Sequence, residues 1–301
     1  MHDPAMHDEA MHDEAIPTLA RELPDPRVVR SADGTELATY DLGGEGGDVL
    51  FVHATGFCAG VWTPVSARLS GRHVAVDVRG HGRSAVPDAG MAWEGTAQDV
   101  LATVDAHGLS GAVGVGHSMG GASLVLAEQA RPGTFRALWL FEPIIFPTDG
   151  PRPADEDNPL VAGARRRRDT FASARAAYDN FAAKPPFDAL DPEALSAYVR
   201  YGFAELADGS VTLRCRPEVE AQTYAMGPRH DAYDHLGDLA CPVTVVRGHT
   251  RAPGPATLAE LVAERIPRGA LEEHPELGHF GPLESPEAVA ASIRRAVSAA
   301  S

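Results

Sequence analysis

The stretch Gly116-His117-Ser118-Met119-Gly120 separates an apolar run, Ala112-Val113-Gly114-Val115, from a helix-forming run, Gly121 to Ala130. The first run suits a short buried strand. The second suits a helix, with Arg131-Pro132-Gly133 as its stop. A serine with glycines two places before and after it can sit on a sharp strand-to-helix turn that pushes its hydroxyl out of the sheet. The glycines are needed because any Cβ there would collide with the neighbouring strand and helix. A tight βα turn whose serine only caps the helix shares the pattern. The strand before and the helix after single out Ser118 as a candidate nucleophile.

Outward from this turn the chain alternates strand-like and helix-like segments. Residues 27–30 and 36–40 flank Asp33-Gly34 and read as a hairpin. Residues 48–53, 73–78 and 137–141 read as strands, 61–69 and 93–109 as helices. Near the C-terminus, 242–246 and 270–273 are strands and 286–300 a last helix, with Ser285 as its N-cap. Such alternation implies an α/β fold: a mostly parallel twisted sheet flanked by helices on both faces. Functional groups then belong on loops at the carboxyl ends of the strands. Residues 147–235 break the rhythm. Pro147 to Pro159 reads as a loop, followed by helices at about 161–183 and 192–206 and a third at 217–226, with no clear strand. The expected organisation is a repeat leader at 1–21, a core at 22–146 and 236–301, and a helical cap at 147–235. The run Arg165-Arg166-Arg167-Arg168 lies on the first cap helix. Consecutive helical residues point around the axis, so the run reads as a solvated basic patch. The second reading turns one arginine toward an anionic substrate.

Bulk properties narrow the function. The 301 residues carry 26 Lys and Arg against 42 Asp and Glu, a net charge of −16. That balance argues against nucleic acid and anionic membrane surfaces as partners. The chain lacks an apolar run of about 18 residues and an N-terminal signal-peptide pattern. Three widely spaced cysteines, Cys58, Cys215 and Cys241, make neither a disulfide framework nor a metal cluster, so the expected location is the cytoplasm. The opening MHDPA-MHDEA-MHDEA repeat reads as a disordered leader. Its His2, His7 and His12 are at most weak metal ligands. No dinucleotide fingerprint, P-loop or zinc ligand set is present, so no cofactor and no metal are expected.

Four motifs carry a family resemblance. They are His53-Ala54-Thr55-Gly56-Phe57, Asp77-Val78-Arg79-Gly80-His81-Gly82-Arg83-Ser84, the 116–120 turn, and Gly278-His279-Phe280 followed by Pro282, Glu284, Ser285 and Pro286. In this order and spacing the chain resembles the α/β-hydrolase fold superfamily from about residue 27 to residue 300. The resemblance implies a serine hydrolase with its cap inserted after the sixth strand.

A serine hydroxyl needs a base, and the base needs an orienting group. Of thirteen histidines, His279 matches the family order of nucleophile, acid, histidine. His53 sits in the oxyanion-loop motif, where the family residue is structural. His81 lies in a glycine-rich turn. His117 adjoins Ser118 with its side chain expected to leave in another direction, and His249 and His274 read as surface or loop residues. The family acid commonly follows the strand at 242–247, but that loop, Arg247 to Gly254, holds no carboxylate. The alternative location, after the sixth strand, holds Glu142 in the apolar run Trp139 to Pro147. A buried carboxylate without a partner is costly, which makes Glu142 the candidate acid. The arrangement resembles some haloalkane dehalogenases and zearalenone-type lactonases. The other reading makes Glu142 structural, with Asp238 or another loop acid completing the site.

The resemblance places one oxyanion donor on the Met119 amide and the other on Thr55 or, second, Gly56. Gly56, Phe57, Cys58 and Trp62 are candidate lining of the substrate pocket. A serine nucleophile points to a carboxylic ester as the small-molecule substrate, with a lactone second. Carbon–carbon bond hydrolysis and cofactor-free perhydrolysis occur on the same fold. The non-enzymatic alternative is a ligand-binding receptor. Oligomeric state is not legible.

Overall fold

The computed structural model describes residues 16–149, 158–227, 229–251 and 254–299. The MHDxA repeat, and with it the readings as leader and weak metal ligand, lies outside the described residues. Six strands lead the chain: β1 (Arg27–Arg30), β2 (Glu36–Gly43), β3 (Asp48–Val52), β4 (Arg72–Val76), β5 (Ala112–His117) and β6 (Phe135–Phe141). Between them lie α1 (Thr63–Ser66), α2 (Trp93–His107) and α3 (Met119–Ala130). An insertion follows with α4 (Pro159–Arg165), β7 (Thr170–Phe171), α5 (Ala174–Ala182), α6 (Pro192–Gly202), β8 (Phe203–Glu205), β9 (Val211–Leu213) and α7 (Pro217–Met226). The chain closes with β10 (Val243–Arg247), α8 (Pro255–Arg265), β11 (Gly269–Glu273), α9 (Gly281–Glu284) and α10 (Pro286–Ala299).

Eight strands form one sheet in the order β1-β2-β4-β3-β5-β6-β10-β11. The hairpin β1–β2 and the pair β2–β4 are antiparallel, and the remaining pairs are parallel. Successive strand side chains point to opposite faces. Val49, Phe51, Val113, Val115, Trp139 and Phe141 therefore join one core cluster, which includes Val289 and Ile293 of α10. Leu50, Val52, Leu138, Leu140 and Val245 join the cluster on the other face, with α2, α3 and α8. Covered on both sides, β5 is buried at all six positions, which is why it reads as an apolar run without alternation.

The insertion differs from the all-helical expectation. Strands β7, β9 and β8 form a small antiparallel sheet. The helix expected at 161–183 is two helices, the second restarted by Ser173, whose side chain accepts the Ala176 amide. The helix expected to reach residue 206 ends at Gly202 and runs straight into β8. Strands of two or three residues are too short to display a period, so local pattern could not reveal them. Phe57 of the core meets Tyr198 of α6 with ring centroids 5.0 Å apart, seating the insertion over the loop after β3.

Residues 16–21, grouped with the leader in the sequence reading, lie against the domain. The Ala20 amide donates to Glu193 at 2.6 Å and Arg21 donates to the Ser66 hydroxyl at 2.7 Å. Among the described residues no helix is long and apolar enough to cross a membrane.

Candidate active site

Ser118 links β5 to α3 in a conformation that L-residues rarely adopt, φ 55° and ψ −114°. The flanking glycines allow it. A Cβ on Gly116 would stand 2.7 Å from the Gly121 Cα, and one on Gly120 would stand 2.2 Å from the Val52 carbonyl oxygen. Strand, helix and the loop after β3 thus meet at separations only glycine permits. The Ser118 amide donates to the Phe141 carbonyl at 2.9 Å, and the Ile144 amide donates to the Ser118 carbonyl at 3.2 Å. These bonds lock the turn to the end of β6.

Glu142 sits at that end, also with positive φ, 44°. Its amide donates to the Val246 carbonyl at 2.8 Å, extending the β6–β10 ladder by one bond. Its carboxylate is 2% exposed. One oxygen accepts the Gly248 amide at 2.8 Å, and the other lies 2.6 Å from His279 Nδ1. The loop after β10, which lacks a carboxylate of its own, therefore supplies an amide that holds the carboxylate of the neighbouring strand. A carboxylate only accepts hydrogen bonds, so Nδ1 carries the proton and Nε2 is the free lone pair. Nε2 lies 3.2 Å from the Ser118 hydroxyl. Ser118, His279 and Glu142 are brought together in one hydrogen-bonded chain. Asp238, the other acid considered, is 77% exposed and hydrogen-bonded to His235.

His117 has a partner that its sequence context did not disclose. Its Nε2 donates to the His279 carbonyl at 2.7 Å, fixing the backbone that carries that ring. Burial, followed by the nearby His279, holds the His117 pKa well below the usual histidine range. His53 donates from Nδ1 to the Ala54 carbonyl at 2.8 Å and accepts the Val78 amide at 3.1 Å, pinning the loop after β3 to the one after β4. Burial lowers the His53 pKa to about 4. His81, its ring 5.2 Å away, is likewise lowered to about 4, by burial and then by His53.

Met119 is the first residue of α3, and the amides of a first turn have no acceptor inside their helix. Gly120 rests on the carbonyls of Val52 and His53, which sets the start of α3 beside the loop holding Thr55. Thr55, Gly56 and Phe57 line a cavity of about 360 Å³ together with Phe280 and residues of α4, α6 and α7. Cys58 and Trp62, the other two pocket candidates, do not line this cavity. Cys58 is fully buried and Trp62 is 1% exposed, packed on Phe51 at 5.2 Å. Residues after Phe57 turn inward at Ala59–Trp62, under α6, so those two side chains belong to the core.

The arginine run divides by direction. Arg165 pairs with Glu218 on the surface and Arg168 covers the Phe171 ring at 4.3 Å. Arg167 turns inward to the cavity and pairs with Glu220 at 2.9 Å. Among the described residues no group of three or more His, Cys, Asp or Glu is placed to hold a metal ion.

Comparison with known proteins places this architecture. A model described as "Alpha/beta hydrolase family" matches residues 49–292. The 2-(acetamidomethylene)succinate hydrolase of Mesorhizobium japonicum is 29% identical over 214 residues, covering 69% of this chain and 72% of that protein. A crystal structure of E-2-(acetamidomethylene)succinate hydrolase superposes with a TM-score of 0.76 at 25% identity, covering 91% of this chain and 99% of the other. A thermophilic esterase from Thermogutta terrifontis, solved with malate bound, gives 0.70 at 24% identity, covering 92% and 99%. At that identity the esterase bears on the fold alone.

Proposed function

The chain belongs to the alpha/beta hydrolase family, and from that premise we propose that it cleaves a carboxylic ester through an acyl-enzyme on Ser118. The observation that carries the reading is the Ser118–His279–Glu142 chain, with contacts of 3.2 and 2.6 Å. His279 Nε2 takes the hydroxyl proton as Ser118 Oγ attacks the ester carbonyl. Glu142 orients the ring and stabilises the imidazolium. The tetrahedral oxyanion is met by the Met119 amide and an amide of the loop after β3, that of Thr55. His279 then gives its proton to the departing alcohol. Water attacks the acyl-enzyme, His279 takes and returns a proton again, and the acid leaves. Ester plus water thus become acid plus alcohol, with Ser118 restored.

Of the two loop amides considered, Gly56 is the less available, because it lies beside the Cys215 thiol. A lactone is the second reading, favoured by the place of the acid. Glu142 follows β6 as the acid does in the zearalenone-type lactonases that the arrangement resembles. Ring opening uses the same steps but yields one product rather than two.

The test pairs covalent labelling with turnover. An organophosphate should label Ser118, and a panel of esters and lactones of varied acyl length should reveal the preferred class. Ser118→Ala is expected to lose turnover by about a millionfold, the scale for a nucleophile acting in a triad. Wild-type turnover in that variant would remove Ser118 from the reaction. A ligand-binding receptor would bind without being labelled.

A further inference from the structure

Arg167 is a cation largely enclosed by aromatic side chains, 18% exposed. Its guanidinium lines the cavity beside Thr55 and Gly56, and a Cβ on Gly56 would stand 3.5 Å from Nη1. Phe181, Phe187 and Tyr198 surround it, with ring centroids 5.5 to 6.0 Å from Cζ. Burial opposes its charge, but Tyr198 and Glu220 outweigh burial, and the net shift of its pKa is upward.

The hydrogen bonds of this group are incomplete in one direction. Nη1 donates to both Glu220 oxygens at 2.9 Å, and Nη2 donates to the Tyr198 hydroxyl at 2.5 Å. A guanidinium has five N–H donors. The Nε hydrogen and one Nη2 hydrogen therefore have no acceptor among the described residues. The hydroxyl of Tyr224, which also lines the cavity, has no hydrogen-bond partner among the described residues, and the Tyr198 proton has no acceptor there either. Among the described residues Glu220 is the only acidic side chain in the lining, and Arg167 engages each of its oxygens. The cavity thus holds surplus donors, two of them on a cation, and the acceptor that also matches the charge of that cation is a carboxylate. Glu220 does not preclude a second anion. Arg79 of this same chain already holds two carboxylates, Asp99 through Nε and Nη2 and Asp33 through Nη1.

We propose that Arg167 anchors a carboxylate on the acyl part of the substrate, so that the preferred substrates are hemiesters of short dicarboxylic acids. This rests on the serine-hydrolase reading of the same site. The guanidinium lies beside Gly56 of the loop after β3, the loop proposed to hold the oxyanion, which favours a short acyl group. The aromatic walls strip water from the pair and strengthen it.

The experiment compares mono-p-nitrophenyl glutarate with p-nitrophenyl pentanoate, which have acyl chains of similar length, one charged and one neutral. The full-length wild-type protein should favour the charged ester by about 10- to 100-fold in kcat/KM, the range of charge-assisted hydrogen bonds. In R167Q that ratio should fall toward unity, mainly through KM, and R167K should keep part of it. Glutarate should inhibit hydrolysis of the neutral ester competitively, and the neutral diamide glutaramide should not. A wild-type ratio at or below one overturns the proposal and leaves Arg167–Glu220 a structural pair, and so does an R167Q ratio equal to wild type. If R167Q does not fold, R167K and the two inhibitors decide. Failure of an organophosphate to label Ser118 would instead remove the serine-hydrolase reading. Calorimetric binding of glutarate against glutaramide then still tests Arg167 without turnover.

Discussion

Two residues of the site, Ser118 and Glu142, hold positive φ without being glycine. Such conformations cost roughly 1–3 kcal/mol each and persist only where the surroundings over-determine them. Here the surroundings are the bonds to Phe141 and Val246 and the Gly248 amide. Glu142→Gln preserves size and the Gly248 bond but can present its amide to Nδ1, inverting the ring's tautomer. It is expected to lower kcat by about a thousandfold to ten-thousandfold with little change in KM. Steady-state kinetics on a p-nitrophenyl ester checks this, and an undiminished kcat would put the acid elsewhere. Glu142 was legible because the family resemblance offers that position for the acid and a lone carboxylate in an apolar run demands a partner. The part played by His117 was not, because its reach to the His279 carbonyl depends on a loop 162 positions away. Arg167 was legible only as one of four equivalent arginines. The structure separates it by burial and by Glu220.

At the scale of the element, glycines of opposite character give opposite forecasts. Gly120→Ala drives a Cβ to 2.2 Å from the Val52 carbonyl oxygen, where only backbone can yield. It is expected to destabilise by about 3 kcal/mol, at the upper end of overpacking costs. Gly163, in α4, faces open space, with nothing within 4 Å of where a Cβ would stand. Gly163→Ala is expected to stabilise by about 0.5–1 kcal/mol by restricting the unfolded chain. Urea denaturation of both variants checks the pair, and equal midpoints would contradict it. The contrast also explains what could be read of the elements. The long apolar strands and amphipathic helices of the core announce themselves through period and stop signals. The small β7-β9-β8 sheet does not, because its strands form only where two distant segments meet.

Across the molecule, several histidines are buried in the neutral form. His53 and His81 are lowered to about 4 from 6.5, and His73, His107 and His117 are lowered too, burial being the leading cause throughout. A histidine with a depressed folded pKa binds fewer protons folded than unfolded between those values. Stability is therefore full above about pH 6.5 and is lost as pH falls toward 4. For one ring lowered from 6.5 to about 4, as at His53, this linkage is worth about 3 kcal/mol. His53 and His81 adjoin, so their contributions overlap. Unfolding free energies from urea titrations should be smaller at about pH 5 than at about pH 7.5, by less than the histidine sum because burial raises the Asp77 and Asp99 pKa values and so opposes it. This holds although acid also relieves the repulsion of a −16 chain. A flat profile would show that these rings are not held neutral. What the sequence determined by itself was the strand-to-helix turn at Ser118 and the order of the core elements, while His279 and Glu142 entered as candidates through the family resemblance, with the cost of a buried charge supporting Glu142. Glycine demand, apolar period and the cost of a buried charge are local properties. Only the tertiary structure decided that Glu142 and His279, 137 positions apart, meet at 2.6 Å. It also decided that the loop after β10 lends Glu142 an amide and that one arginine of four faces the cavity. Side-chain direction and desolvation are set by neighbours remote in the chain, and those exist only once the sheet has closed around them.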